Sequence, residues 1–304
     1  VETGSPTRIR TWNLAVNSRS LTLNLTEDFG RALILEGLRP STIYHYVRDA
    51  RRFCLYLGDR DLTKTTPALL REYLIQFRTG RKDKTLREAQ IALRRFFRWL
   101  VEEGELDEDP TRGIPLMSFR TTPQPTYNTE EVRRLLESCF TKSPLGIRDR
   151  ALILVLYDTG VREGELVSMR EVDWERRAVQ VTGKTGTRTV PLGLAALQAI
   201  ERYIRHWTIS EPPLWRGIRG TPLTGWGVLQ IIRRRCLEAG VQHKGVHAFR
   251  RSAACQMKRL GAQDSDIMEI CGWKSVVMLR RYTAACAEEL AQRAHALYSP
   301  ADNL

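Results

Sequence analysis

The chain has 304 residues, 42% hydrophobic and 27% charged, with a formal net charge of +13. That is room for two domains with cores of their own, and the positive surplus favours a polyanion, because cations that neutralise phosphates release condensed counterions. No apolar run reaches membrane-spanning length, no apolar signal core opens the chain, and Cys54, Cys139, Cys236, Cys255, Cys271 and Cys286 lack C-x-x-C spacing; a membrane span, a disulfide framework and a zinc site are excluded.

Residues 1–20 are polar and basic without helical period and are expected to lack fixed structure. Arg8-Ile9-Arg10-Thr11 and Val16-Asn17-Ser18 can be back-translated as complements of a tRNA-gene T-arm and anticodon loop. A reading frame beginning inside an attachment site would give this pattern; coincidence is the competing reading, and the gene's nucleotides decide.

Residues 21–107 read as four helices. The first covers Thr26 to Glu36 and ends at Gly37. The second follows Pro40 with Ser41 as N-cap, the third opens at Thr66-Pro67, and the fourth runs from Thr85 to Glu103. Arg48, Arg51 and Arg52 line the second; Arg87, Arg94 and Arg95 line the fourth; Lys82 and Lys84 lie between the third and fourth. A charge run on a helix is usually a solvated face. Arginine rows on two helices point instead to a domain gripping DNA phosphates. Pro110, Pro115, Pro123 and Pro125 break residues 108–127 into a linker, where Arg112 and Arg120 are placed to touch DNA.

Residues 128–286 read as a second domain. Its first helix is expected to be capped by Thr129. An apolar helix from Asp149 to Asp158 ends at Gly160, and the turn after it delivers Arg162. A short helix (Glu163 to Met169) leads into three strands, Val172–Trp174, Ala178–Val181 and Arg188–Pro191, with Lys184-Thr185-Gly186 at a hairpin tip. Helices are expected over Gly193–Trp207, Thr224–Ala239, His247–Leu260, Asp264–Cys271 and Ser275–Arg281. Residues 287–304 form a final amphipathic helix and tail. The fold class is mainly α with a small antiparallel β-sheet.

Arg162-x-x-Glu165-Leu166 after a buried helix, Gly183-Lys184-x-Gly186 in a hairpin, His247-x-x-Arg250, Gly272-Trp273 and then Tyr282 together resemble the tyrosine recombinase (phage integrase) family. Any one motif is weak; five in order are specific. The resemblance covers about Leu21 to Leu297. It implies a two-domain architecture: a SAM-like helical core-binding domain and a mixed α/β catalytic domain.

The resemblance also implies roles. Tyr282 would attack a scissile phosphodiester, leaving a 3′-phosphotyrosyl link and a free 5′-hydroxyl. A phenol is mostly protonated near neutral pH and needs help to do so. Arg162 and Arg250 would clamp the non-bridging oxygens with planar forks. Glu165 would buttress the site. Lys184 would protonate the leaving oxygen, with Lys244 and Arg188 as nearby alternatives. His247 would move a proton or donate a hydrogen bond. Trp273 stands where most members have histidine and some have tryptophan; an indole N–H donates but cannot shuttle a proton. Arg188, Lys244 and Arg280 would add DNA contacts.

The reaction would need no metal and no cofactor, because the covalent link stores the bond energy. The partner would be double-stranded DNA, held by a homotetramer whose C-terminal helices dock on neighbours, with accessory factors conceivable and no membrane. The setting would be a prokaryotic cytoplasm, at the nucleoid, and the reaction site-specific strand exchange through a Holliday junction by a mobile element's integrase or resolvase. Type IB topoisomerase-like relaxation and a catalytically decayed DNA binder are the competing readings. The complete residue set argues against decay. The helical N-terminal half and docking tail argue against the topoisomerase.

Overall fold

Thr66 caps a helix as its chemistry dictates: its Oγ1 accepts the Leu69 N–H at 3.2 Å, and Pro67 occupies the first turn, where a missing N–H costs nothing. In the computed structural model the described residues are 18–119, 122–183 and 186–304, excluding the side chains of residues 18–23 and 303. Lys184, Arg120 and the tRNA-like stretch at residues 8–11 therefore lie outside the description, as do residues 16 and 17. Two units emerge, divided between Thr121 and Thr122.

The first unit contains α1 (Ser18–Leu35), α2 (Pro40–Leu57), α3 (Pro67–Arg78) and α4 (Asp83–Glu102). α1 begins well before Thr26, since no glycine or proline interrupts residues 18–29. Ser41 is not the cap of α2: Arg39 holds that place and Pro40 takes the first helical position. Phe29, Phe53, Phe96 and Phe97 are fully buried, and edge-on contacts join them, with Phe29–Phe96 centroids 5.2 Å apart and Phe53–Phe97 5.5 Å. The proline-broken segment after α4 is irregular, yet Ile114 joins this core.

The second unit contains α5 (Thr129–Glu137), α6 (Pro144–Thr159), α7 (Glu163–Val167), β1 (Val172–Asp173), β2 (Ala178–Gly183), β3 (Gly186–Pro191), α8 (Leu194–Trp207), α9 (Gly225–Glu238), α10 (His247–Arg259), α11 (Asp264–Cys271), α12 (Val276–Thr283) and α13 (Ala287–Tyr298). Asn128, not Thr129, caps α5. Its Oδ1 accepts from Glu131 N–H and Glu131 reaches back to Asn128 N–H, each at 2.8 Å, closing a capping box. α6 buries Ala151, Leu152, Ile153, Val155 and Leu156, and α8 and α10 pack against it.

The strands form an antiparallel sheet in the order β1-β2-β3. Val179 pairs with Val190, Val181 with Arg188, and Gly183 with Gly186. Period-two alternation places Arg188 on the same face as buried Val190. A second, smaller core of Ala254, Ile267, Cys271, Trp273 and Leu279 carries Tyr282 at its edge. All six cysteines are buried free thiols.

Candidate active site

The turn after α6 sets the first arginine. Gly160 adopts φ +60, in the left-handed region that favours glycine, and ends the helix. Arg162 then stands at the start of α7. Its backbone N–H donates to Glu165 Oε2 at 2.8 Å, and its Nη1 donates to Glu165 Oε1 at 2.6 Å. Glu165 is 1% exposed.

Arg188 approaches the same carboxylate from β3. Nη1 donates to Oε1 at 2.6 Å and Nη2 to Oε2 at 3.0 Å, a fork-on-fork pair. Arg250 Nη1 lies 4.0 Å from Glu165 Oε2. Burial alone would raise the Glu165 carboxyl, but hydrogen bonds from Arg188 and Arg162 overcome it and hold the pKa at about 2. Three guanidinium groups thus surround one carboxylate, leaving a local excess of positive charge.

Arg250 has no solvent exposure. Nη1 donates to the Gly160 carbonyl at 2.6 Å and Nη2 to the Cys271 carbonyl. Its guanidinium carbon lies 4.8 Å from the Trp273 ring centroid and 5.7 Å from that of Tyr282. Burial pulls its pKa down from the usual arginine value. Arg250 Nε and Trp273 Nε1 are buried donors without a hydrogen-bond partner among the described residues.

Gly272, with φ +64, ends α11 and turns Trp273 inward to 5% exposure. Ser275 caps α12 through Val277 N–H at 3.2 Å, and the helix brings Tyr282 alongside, with ring centroids 4.6 Å from Trp273. His247, on the first turn of α10, places Nε2 2.6 Å from Tyr282 Oη. His247 has an exposed side, but burial of its ring, then Arg250, Arg251 and Arg162, push its pKa down to about 4. The imidazole is therefore neutral at pH 7, with one ring nitrogen unprotonated.

Arg162, His247, Arg250, Trp273 and Tyr282 converge; Glu165 holds Arg162 and lies 4.0 Å from Arg250, and Arg250 in turn lies against the Trp273 and Tyr282 rings. Lys184 lies outside the described residues; Gly183, which precedes it, packs against Glu165 so closely that a Cβ there would meet Glu165 Cγ at 2.8 Å. Lys244 is drawn away: its Nζ donates to both Glu131 carboxylate oxygens at 2.6 Å and to the Thr126 carbonyl at 2.8 Å. Arg280 is exposed on α12. Sequence reasoning set Arg188 among the DNA contacts and missed its place beside Glu165. The available signal was its two-residue spacing from buried Val190.

Several cations of the first unit have internal partners. Arg87 Nη1 donates to the Met117 carbonyl at 2.9 Å and Arg94 Nη2 to the Ile114 carbonyl, so both anchor the segment after α4. Arg95 pairs with Glu36. Arg48 and Arg52 share buried Asp49, each with an oxygen at 3.0 Å, and Arg51 pairs with Glu27 at 3.1 Å. Lys82 is exposed, and Lys84 reaches Glu88 only at 3.7 Å.

Among the described residues no group of three or more His, Cys, Asp or Glu side chains is arranged to hold a metal ion. No helix among them is long and apolar enough to cross a membrane.

Comparison with known proteins gives a consistent picture. Residues 126–289 match the phage integrase family, and residues 27–104 match the phage integrase N-terminal SAM-like domain. The chain is 30% identical over 281 residues to the tyrosine recombinase XerD of Listeria innocua, covering 86% of this chain and 93% of the relative. The fold is shared with XerH site-specific recombinase bound to a palindromic difH substrate in a post-cleavage complex (TM-score 0.72, 19% identity, 92% of this chain and 85% of that one). It is shared also with a lambda integrase tetramer bound to a Holliday junction (TM-score 0.72, 17% identity, 88% and 80%).

Proposed function

This chain belongs to the phage integrase family of tyrosine recombinases, and we propose that its site-specific recombination of DNA runs through Tyr282 with His247 as the proton acceptor. The observation that carries this reading is the 2.6 Å separation of His247 Nε2 and Tyr282 Oη, which is hydrogen-bond reach for a general base.

The Tyr282 proton passes to His247 Nε2 as Oη attacks phosphorus. A P–Oη bond forms, the bond from phosphorus to the 5′-oxygen breaks, and the departing oxygen takes a proton from Lys184. Arg162 and Arg250 meet the charge that grows on the non-bridging oxygens, and the unpartnered Trp273 Nε1 and Arg250 Nε are available as further donors. Strand joining is the reverse: a 5′-hydroxyl from a partner duplex attacks the phosphotyrosine and Tyr282 recovers its proton. The covalent link conserves the bond energy, so no cofactor is required.

Exchange of two duplexes needs four such sites. We place the protein as a homotetramer on a Holliday junction, as the lambda integrase neighbour is, with α13 as the docking element between subunits. α13 has no buried residue, and Leu297 and Tyr298 are 66% and 76% exposed. Lys82, Lys84 and Arg280 serve as phosphate contacts. The setting is a prokaryotic cytoplasm, at the nucleoid. The reading as a mobile element's enzyme draws on the back-translation of residues 8–11 into a tRNA-gene complement, and the gene's nucleotides test it.

The test is selection from a pool of nicked duplexes with randomised arms, trapping covalent adducts. Wild type should enrich one sequence and Tyr282→Phe none. Adducts on any duplex would favour a topoisomerase-like activity.

A further inference from the structure

Arg188 sits where four parts of the site meet. It stands in β3, two residues after Gly186, on the face shared with Val190. Its fork closes on Glu165, which in turn holds Arg162. Its Nε points at the Ile270 carbonyl over 3.4 Å. The next residue, Cys271, gives its carbonyl to Arg250. Gly272 then lies flat against the Arg188 side chain: a Cβ there would come within 3.0 Å of Arg188 Cδ and Nε. From the other strand of the hairpin, Gly183 abuts the Glu165 side chain.

These contacts leave Arg188 little freedom to serve a phosphate. The side chain is 17% exposed, and both η nitrogens are engaged by a carboxylate 1% exposed. Moving the guanidinium to DNA would strip a buried carboxylate of its bidentate partner, which is expensive. The packing of Gly272 on its stem fixes the chain direction into Trp273. Strands β2 and β3 are thereby indexed to Arg162 by one carboxylate and to the Arg250–Trp273 segment by one guanidinium.

We infer that Arg188 is a positioning residue of the recombination reaction, acting through Glu165 and the Ile270–Gly272 segment to set Arg162, Arg250 and the β2–β3 hairpin in mutual register. This deepens the function proposed above and rests on it.

The experiment measures single-turnover adduct formation on the selected nicked duplex, together with duplex affinity across a salt series, for wild type, Arg188→Ala, Arg188→Lys, Glu165→Gln and the Arg188→Ala/Glu165→Gln double variant. A misplaced clamp costs on the order of 10²-fold in rate. Arg188→Ala should show that loss with unchanged affinity and salt slope, and added guanidinium ion should restore part of the rate. In the Glu165→Gln background, adding Arg188→Ala should cost less than about threefold, because the two act as a unit. Should Arg188→Ala fail to fold, Arg188→Lys carries the test: it keeps the charge but not the fork, and slow cleavage with the wild-type salt slope is expected.

A salt slope reduced by about one charge, with the cleavage rate retained, would make Arg188 a phosphate contact and overturn the inference. Full multiplicative losses in the double variant, or a wild-type rate in Arg188→Ala, would overturn it too. Absence of an adduct from the wild type itself would overturn the proposed function and this inference together, whereas the preceding outcomes leave the proposed function standing.

Discussion

The carbonyl of Gly160 accepts a hydrogen bond from Arg250 Nη1 at 2.6 Å. The turn that delivers Arg162 therefore also holds Arg250, although 88 positions separate the two arginines in the chain. Gly160 is the pivot. Its φ is +60, and a Cβ would meet Ala253 Cβ at 3.2 Å. Gly160→Ala should lower stability by roughly 1–2 kcal/mol from the left-handed backbone alone, with a further loss from crowding α10. Urea unfolding checks the summed stability loss; the adduct rate, which should fall as well, checks that the turn sets Arg162 and Arg250.

Glu165 links stability to acid. Its folded pKa of about 2 lies below the usual carboxyl value of 4.5, so its contribution is fully present above pH 4.5 and is lost as pH falls toward 2. A shift of this size corresponds to about 3 kcal/mol. Unfolding free energy measured between pH 5 and 2.5 should fall more steeply in wild type than in Glu165→Gln. Parallel curves would separate Glu165 from that loss.

His247 gives a different window. Its folded pKa of about 4 is below the ordinary 6.5, so it stays neutral through the physiological range. Adduct formation should then show no histidine titration between pH 6 and 8 and should decline as pH approaches 4. The same shift makes the folded state lose stability as pH falls from 6.5 toward 4, tempered by solvent on the exposed side of the ring. His247→Ala should slow cleavage by on the order of 10²–10⁴-fold, with DNA affinity retained in a binding assay.

Arg94 and Lys82 separate anchoring from DNA contact. Arg94 holds the Ile114 carbonyl, whereas Lys82 is exposed. Lys82→Ala should reduce the salt slope of DNA binding by about one charge and leave the melting temperature unchanged. Arg94→Ala should lower the melting temperature, because the buried carbonyl loses its donor. Fluorescence anisotropy across a salt series and thermal melts distinguish the two.

The helices and the converging site residues were legible because their signals are local. Thr66, Thr224 and Ser275 announce helix starts through their own hydroxyls, and His247 and Arg250 share a helix face by spacing alone. Asn128 and Thr129 are both good caps, and only the reach-back of Glu131 decides between them. What stayed hidden depends on distant partners. Nothing near Lys244 reveals that Glu131, 113 positions away, claims its ammonium. Nothing near Arg87 or Arg94 reveals that carbonyls at Met117 and Ile114 occupy them. A basic helix face reads as phosphate-directed until the segment that covers it is placed.

The most direct measurement is to trap the wild-type protein on its selected nicked duplex, digest the adduct with protease and sequence the peptide that remains on the DNA. The expected result is a single nucleotide-bearing peptide spanning Arg281 to Thr283, modified at Tyr282 through a 3′-phosphate, and no adduct from Tyr282→Phe. A peptide modified at any other residue, or adduct formation by Tyr282→Phe, would contradict the assignment of Tyr282 as nucleophile.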